Sequence, residues 1–116
     1  MSLVARELEA HGIATVILGS ARDIVEYCGV PRFLFTDFPL GNPCGLPYDL
    51  PMQRLNVAMA LELLMTARAP RTIVQSPFRY SDDERWRATY ARVDDSNRDA
   101  LKAAGDARRA RQRAER

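Results

Sequence analysis

The residues of this chain best suited to chemistry gather around one loop. Cys44 lies in Phe38-Pro39-Leu40-Gly41-Asn42-Pro43-Cys44-Gly45, which leaves the apolar run Phe33-Leu34-Phe35. A thiol becomes a useful nucleophile when a helix N-terminus or a nearby cation lowers its pKa. Cys44 stands about two helical turns' worth of chain ahead of a helix expected at Pro51, close enough to approach that end. It is the candidate catalytic residue, set against the plainer reading of a small apolar loop residue. Cys28 is expected at a helix C-terminus, where the dipole opposes thiolate formation, so it reads as a packing residue.

Polar residues near strand ends complete the candidate site. Gly19-Ser20-Ala21-Arg22 forms a strand-to-helix turn whose N–H groups and Arg22 could hold a carboxylate or phosphate, or whose Ser20 could simply cap the helix. Asp37 and Asp49 bracket the loop and could orient a substrate amine or brace the turn. Gly41 and Asn42 shape it, with Gly41 allowing positive φ. His11 is expected in the last turn of a helix, where imidazole suits the negative end of the dipole.

The elements that must position these residues follow from periodicity and punctuation. Ser2 to Ala10 is an amphipathic helix stopped by Gly12. Ile13 to Leu18 is a strand covered on both faces. A helix from Ala21 to Cys28, capped by Ser20, ends at Gly29, and a second strand runs from Arg32 to Thr36. Pro51 to about Arg68 is a helix, apolar around almost its whole circumference between Val57 and Met65, which calls for burial in an oligomer interface or under the C-terminal helices. Thr72 to Gln75 is a third extended piece, followed by helices over Asp82 to Val93 and Asn97 to about Arg113, the latter starting at Asp95-Ser96-Asn97. The fold class is therefore α/β: a small parallel sheet flanked by helices, with a C-terminal helical extension. The core spans 1–80 and the extension 81–116. Because the chain opens with a helix running into a strand, we expect either a dimer that completes the sheet or a start downstream of an original strand.

Composition narrows the partners. With 116 residues there is room for one core, and a formal charge of +2 calls for no polyanion. Five arginines against one acid in residues 108–116 read as a solvated helical end, so nucleic acid is not an expected partner. Trp86 and Tyr90, with Arg79, Tyr80 and Arg87 near them, are expected to cover the apolar helix rather than stack bases. Two cysteines without a leader point to a reducing, cytoplasmic setting, and no segment is long and apolar enough for a membrane. One histidine and no Cys-x-x-Cys pair argue against a metal site, and no cofactor is called for.

The stretch from Leu3 to Arg68 resembles the selenoprotein B family of glycine, betaine, sarcosine and D-proline reductases. Glu9-Ala10-His11-Gly12-Ile13-Ala14-Thr15-Val16, Gly19-Ser20-Ala21 and above all Phe38-Pro39-Leu40-Gly41-Asn42-Pro43 carry the resemblance. It implies an oxidoreductase or oxidoreductase subunit that cleaves a C–N bond reductively in a small amino-acid-like substrate. The family's cysteine or selenocysteine nucleophile belongs upstream, on the strand before the first helix, where this chain begins. The resemblance thus leaves the catalytic group as Cys44, a partner redox subunit or an upstream segment, and a non-catalytic assembly or ligand-binding subunit as the alternative. Substrate-binding residues would be Gly19, Ser20, Arg22, Asp37, Gly41 and Asn42, in a homo-oligomer or beside a redox partner.

Overall fold

The computed structural model describes residues 1–90 and 92–114. It comprises two units, Met1–Asp83 and Glu84–Arg116. In the first, α1 (Ser2–Ala10), β1 (Ile17–Gly19), α2 (Arg22–Cys28), β2 (Arg32–Phe35), α3 (Leu50–Thr66) and β3 (Thr72–Gln75) alternate along the chain. The strands form one parallel sheet in the order β1-β2-β3. The α/β class expected from the sequence is the one observed.

The central strand explains the architecture. Phe33 and Leu34 point to opposite faces of β2, and both are fully buried, so helices must cover the sheet on each side. Val25 of α2, Val30 and Phe33 form the core cluster, with Ile17, Phe35 and Ile73 packed against it. On the other side α3 lies against β1 and β2 and buries Asn56, Ala60 and Leu63. Burying a side chain such as Phe33 contributes roughly 1.5–3 kcal/mol.

Several boundaries differ from expectation, each for a local reason. Residues 13–16 do not pair as strand. Instead Thr15 gives both its N–H and its hydroxyl, at 2.5 and 2.9 Å, to the Glu9 carboxylate. Helix α2 starts at Arg22 behind Ala21, and Ser20 does not cap it, its hydroxyl lying 3.5 Å from Thr36 Oγ1. Gly29 closes α2 in the left-handed conformation, at φ 67°. Asp49 begins α3, its Oδ1 accepting from the Met52 N–H at 3.0 Å, and Pro51 occupies the first turn as expected.

In the second unit the helix expected over Asp82 to Val93 shrinks to α4 (Trp86–Thr89). Tyr90 turns extended, and Asn97 Nδ2 donates to the Arg92 carbonyl at 2.9 Å, which commits this backbone to a turn. Ser96 donates its N–H to Asp94 Oδ1 at 2.9 Å ahead of α5 (Arg98–Ala114). Within this unit Trp86 meets Tyr90 edge-on, with ring centroids 6.3 Å apart, and Arg87 lies 4.7 Å over the Trp86 ring.

Candidate functional site

The three parallel strands stop together. Gly19, Phe35 and Gln75 are in register, and one residue beyond each comes a hydroxyl: Ser20, Thr36 and Ser76. The ladder persists one step past the strands, with Thr36 N–H donating to Gly19 O at 2.9 Å and Ser76 N–H to Phe35 O at 2.8 Å. This C-terminal edge is where ligands bind in open parallel sheets.

The loop after β2 is tied to that edge through its main chain. Thr36 is completely buried, and its hydroxyl donates to the Pro43 carbonyl at 2.7 Å. Asn56, also completely buried, donates from Nδ2 to the Cys44 carbonyl at 2.9 Å and accepts the Ser76 hydroxyl on Oδ1 at 2.6 Å. Gln53 Nε2 holds the Leu46 carbonyl at 2.6 Å. Loop carbonyls 43, 44 and 46 are thus bonded to the side chains of Thr36, just past β2, and of α3. Turns from Asn42 N–H to Pro39 O (3.0 Å) and from Gly45 N–H to Asn42 O (3.2 Å) shape the crest. Gly41 has the expected positive φ, 103°, in open space, whereas Gly45, at 134°, is closed in by Met52, 3.2 Å from where a Cβ would stand.

Cys44 is exposed while its carbonyl is held inward. It lines a groove of 420 Å³ with Gln53, Arg54, Val57, Ala58 and Leu61, on the face of α3 away from the sheet. The expected site residues therefore fall into two places. Gly19 and Ser20 join Thr36 at the strand ends, with Asp37 next along the chain, while Cys44 borders a groove to which neither they nor Arg22 contribute. Arg22 is engaged on its own helix, 3.3 Å from Glu26, with its guanidinium 5.8 Å from the Phe35 ring centroid. His11 caps α1, its Nδ1 lying 2.9 Å from the Glu7 carbonyl. Among the described residues no group of three His, Cys, Asp or Glu side chains is placed to hold a metal ion, and no helix is long and apolar enough to cross a membrane.

Thr36, Asn56 and Ser76 carry no motif and escape a search for catalytic spacings. Their signal is a Ser or Thr directly after each strand, together with one Asn among the apolar residues on the sheet-facing side of α3. A second polar cluster lies by the start of β2, where Arg32 Nη1 meets Glu9 Oε1 at 2.7 Å. Partial burial pushes the Glu9 carboxyl up, but the Thr15 N–H, the Thr15 hydroxyl and Arg32 together outweigh it. The carboxyl is therefore held below its ordinary value.

No family model matches the chain, and no solved structure matches it. Over 78 residues, 67% of the chain, it is 30% identical to the D-proline reductase subunit gamma of Acetoanaerobium sticklandii. The match covers 32% of that protein, so the chain spans about a third of the relative's length. A small parallel α/β unit with a loop anchored at its strand ends thus bears a distant, partial similarity to one stretch of a reductase subunit.

Proposed function

We propose that this chain is a reductase-related subunit whose Pro39–Cys44 loop forms one wall of a site for a small amino-acid-like substrate. The observation that carries the reading is the similarity to a D-proline reductase subunit over 78 residues. The anchored loop at the sheet's C-terminal edge supports it. The reaction is reductive cleavage of a C–N bond, of the selenoprotein B type. Two electrons and two protons enter, the carbon gains a hydrogen, and the nitrogen leaves as an amine. A dithiol, or a thiol with a selenol, supplies both as its two chalcogens join. Cys44 offers one thiol, so the second belongs to a partner redox subunit or an external dithiol. Gly19, Ser20, Gly41 and Asn42 would shape a pocket at the strand ends, apart from the Cys44 groove, with Asp37 for the substrate's amine and Arg22, on exchanging Glu26, for its carboxylate. The protein acts in an oligomer in the cytoplasm.

The test is D-proline-dependent oxidation of dithiothreitol by the full chain, read as loss of free thiol together with appearance of the open-chain amino acid. Turnover that persists in Cys28→Ser and vanishes in Cys44→Ser supports catalysis by Cys44. A second reading, a non-catalytic assembly or ligand-binding subunit, is favoured by the separation of the Cys44 groove from Ser20, Arg22 and Asp37. It predicts calorimetric binding of a cyclic amino acid without turnover. Absence of both binding and turnover would overturn the substrate site.

A further inference from the structure

Helix α3 is apolar on the side turned away from the sheet as well as on the side facing it. Asn56, Ala60 and Leu63 are buried, while Leu50, Leu55, Val57, Leu61 and Met65 are exposed. A contiguous exposed apolar face of this kind marks an interaction surface. With about 100° between successive residues, the direction opposite the buried set falls on Ala58. Arg54 lies one turn before Ala58 and Glu62 one turn after, both exposed. Neither forms an ion pair among the described residues.

We propose that this face binds a second copy of the chain, the two α3 helices packing antiparallel about a two-fold axis at Ala58. The charge pattern selects that occupant. Arg54 and Glu62 are equidistant from Ala58, four residues to either side, so a two-fold axis there sets Arg54 of each copy against Glu62 of the other. One symmetry operation closes two ion pairs, the self-complementarity an isologous interface requires. The same operation brings Leu61 opposite Leu55 of the second copy and Met65 opposite its Pro51. Ala58 is the smallest side chain on the exposed face, and it sits at the crossing, where helix axes approach to about 8–10 Å. The groove bordered by Cys44, Arg54, Val57 and Leu61 is on this face, so the second copy roofs it. The pairing goes beyond the reductase reading and stands without it.

Sedimentation velocity of the full chain over a concentration series tests the pairing. A dimer is expected, with Arg54→Glu and Glu62→Arg each raising its dissociation constant roughly tenfold or more, because each creates two like-charge contacts. The double variant Arg54→Glu/Glu62→Arg restores dimerisation, since the pairs re-form with signs exchanged. Both positions are exposed, and circular dichroism of the three variants should match the parent. A monomer at every concentration overturns the proposal, as does a dimer indifferent to the single reversals. Weakening by the single changes without rescue in the double variant also overturns it, because the two charges then do not meet.

Discussion

Asn56 and Ser76, both buried, share a 2.6 Å hydrogen bond, and the Asn56 amide at the same time holds the Cys44 carbonyl at 2.9 Å. One side chain therefore joins the end of β3, helix α3 and the candidate loop. Asn56→Ala strands the Ser76 hydroxyl and the Cys44 carbonyl together, and we expect a loss of about 2–4 kcal/mol in urea unfolding. Ser76→Ala keeps the Cys44 bond and removes only the Asn56 contact and a long 3.4 Å acceptor for the Phe78 N–H, and is expected to cost about 1–2 kcal/mol. Equal losses from the two changes would show that the Cys44 bond carries no weight.

The two loop glycines should respond differently to alanine. Gly41→Ala meets backbone strain alone, at φ 103° in open space, and we expect a cost of about 1–2 kcal/mol. Gly45→Ala meets strain at φ 134° and also crowds Met52 at 3.2 Å, so its cost should exceed that of Gly41→Ala by about 1 kcal/mol or more. Thermal midpoints of the two variants give the order directly.

Acid should loosen the Glu9 clamp. The folded carboxyl titrates below its unfolded value of 4.5, so the stability it contributes is present above that pH and is lost as pH falls through the lower folded value. The stability of the parent chain should therefore drop more steeply below about pH 4.5 than that of Glu9→Gln. Parallel curves for the two proteins would show that Arg32 and Thr15 contribute nothing through this carboxylate.

Alkylation should separate the two cysteines. Cys44 is exposed and Cys28 half-buried beneath α1, whose Arg6 Nη1 reaches the Cys28 carbonyl at 3.3 Å. At dilutions where the chain is a monomer, mass spectrometry after brief iodoacetamide treatment should find Cys44 modified first. Cys44→Ser should leave stability within about 0.5 kcal/mol of the parent, as an exposed substitution does.

Much of the fold was legible in the sequence because hydrophobic period and punctuation agreed. Helix α1 and strand β3 fall where they were expected, and β2 lies within the span read for it, since Gly29, Pro31 and Pro70 fix the boundaries. The failures arise where a side chain found a partner distant in sequence. Ser20 has the form of an N-cap, but Thr36 lies sixteen residues on and takes its hydroxyl. Thr15 looked like strand until Glu9 claimed its N–H. Gly41, Asn42 and Cys44 were visible because glycine, proline and cysteine are conspicuous. Thr36, Asn56 and Ser76 were not, since a hydroxyl after a strand and an amide in a helix acquire meaning only when the strands are aligned.

The contacts at Pro43, Cys44 and Leu46 that fasten the loop are made by peptide carbonyls. Every amino acid supplies a carbonyl, so the fastening is blind to which side chains the crest displays. Leu40, Asn42 and Cys44 can be exchanged while Thr36, Gln53 and Asn56 keep their grip. The side chains displayed at this end of the sheet are thereby free to drift under selection without endangering the scaffold that presents them.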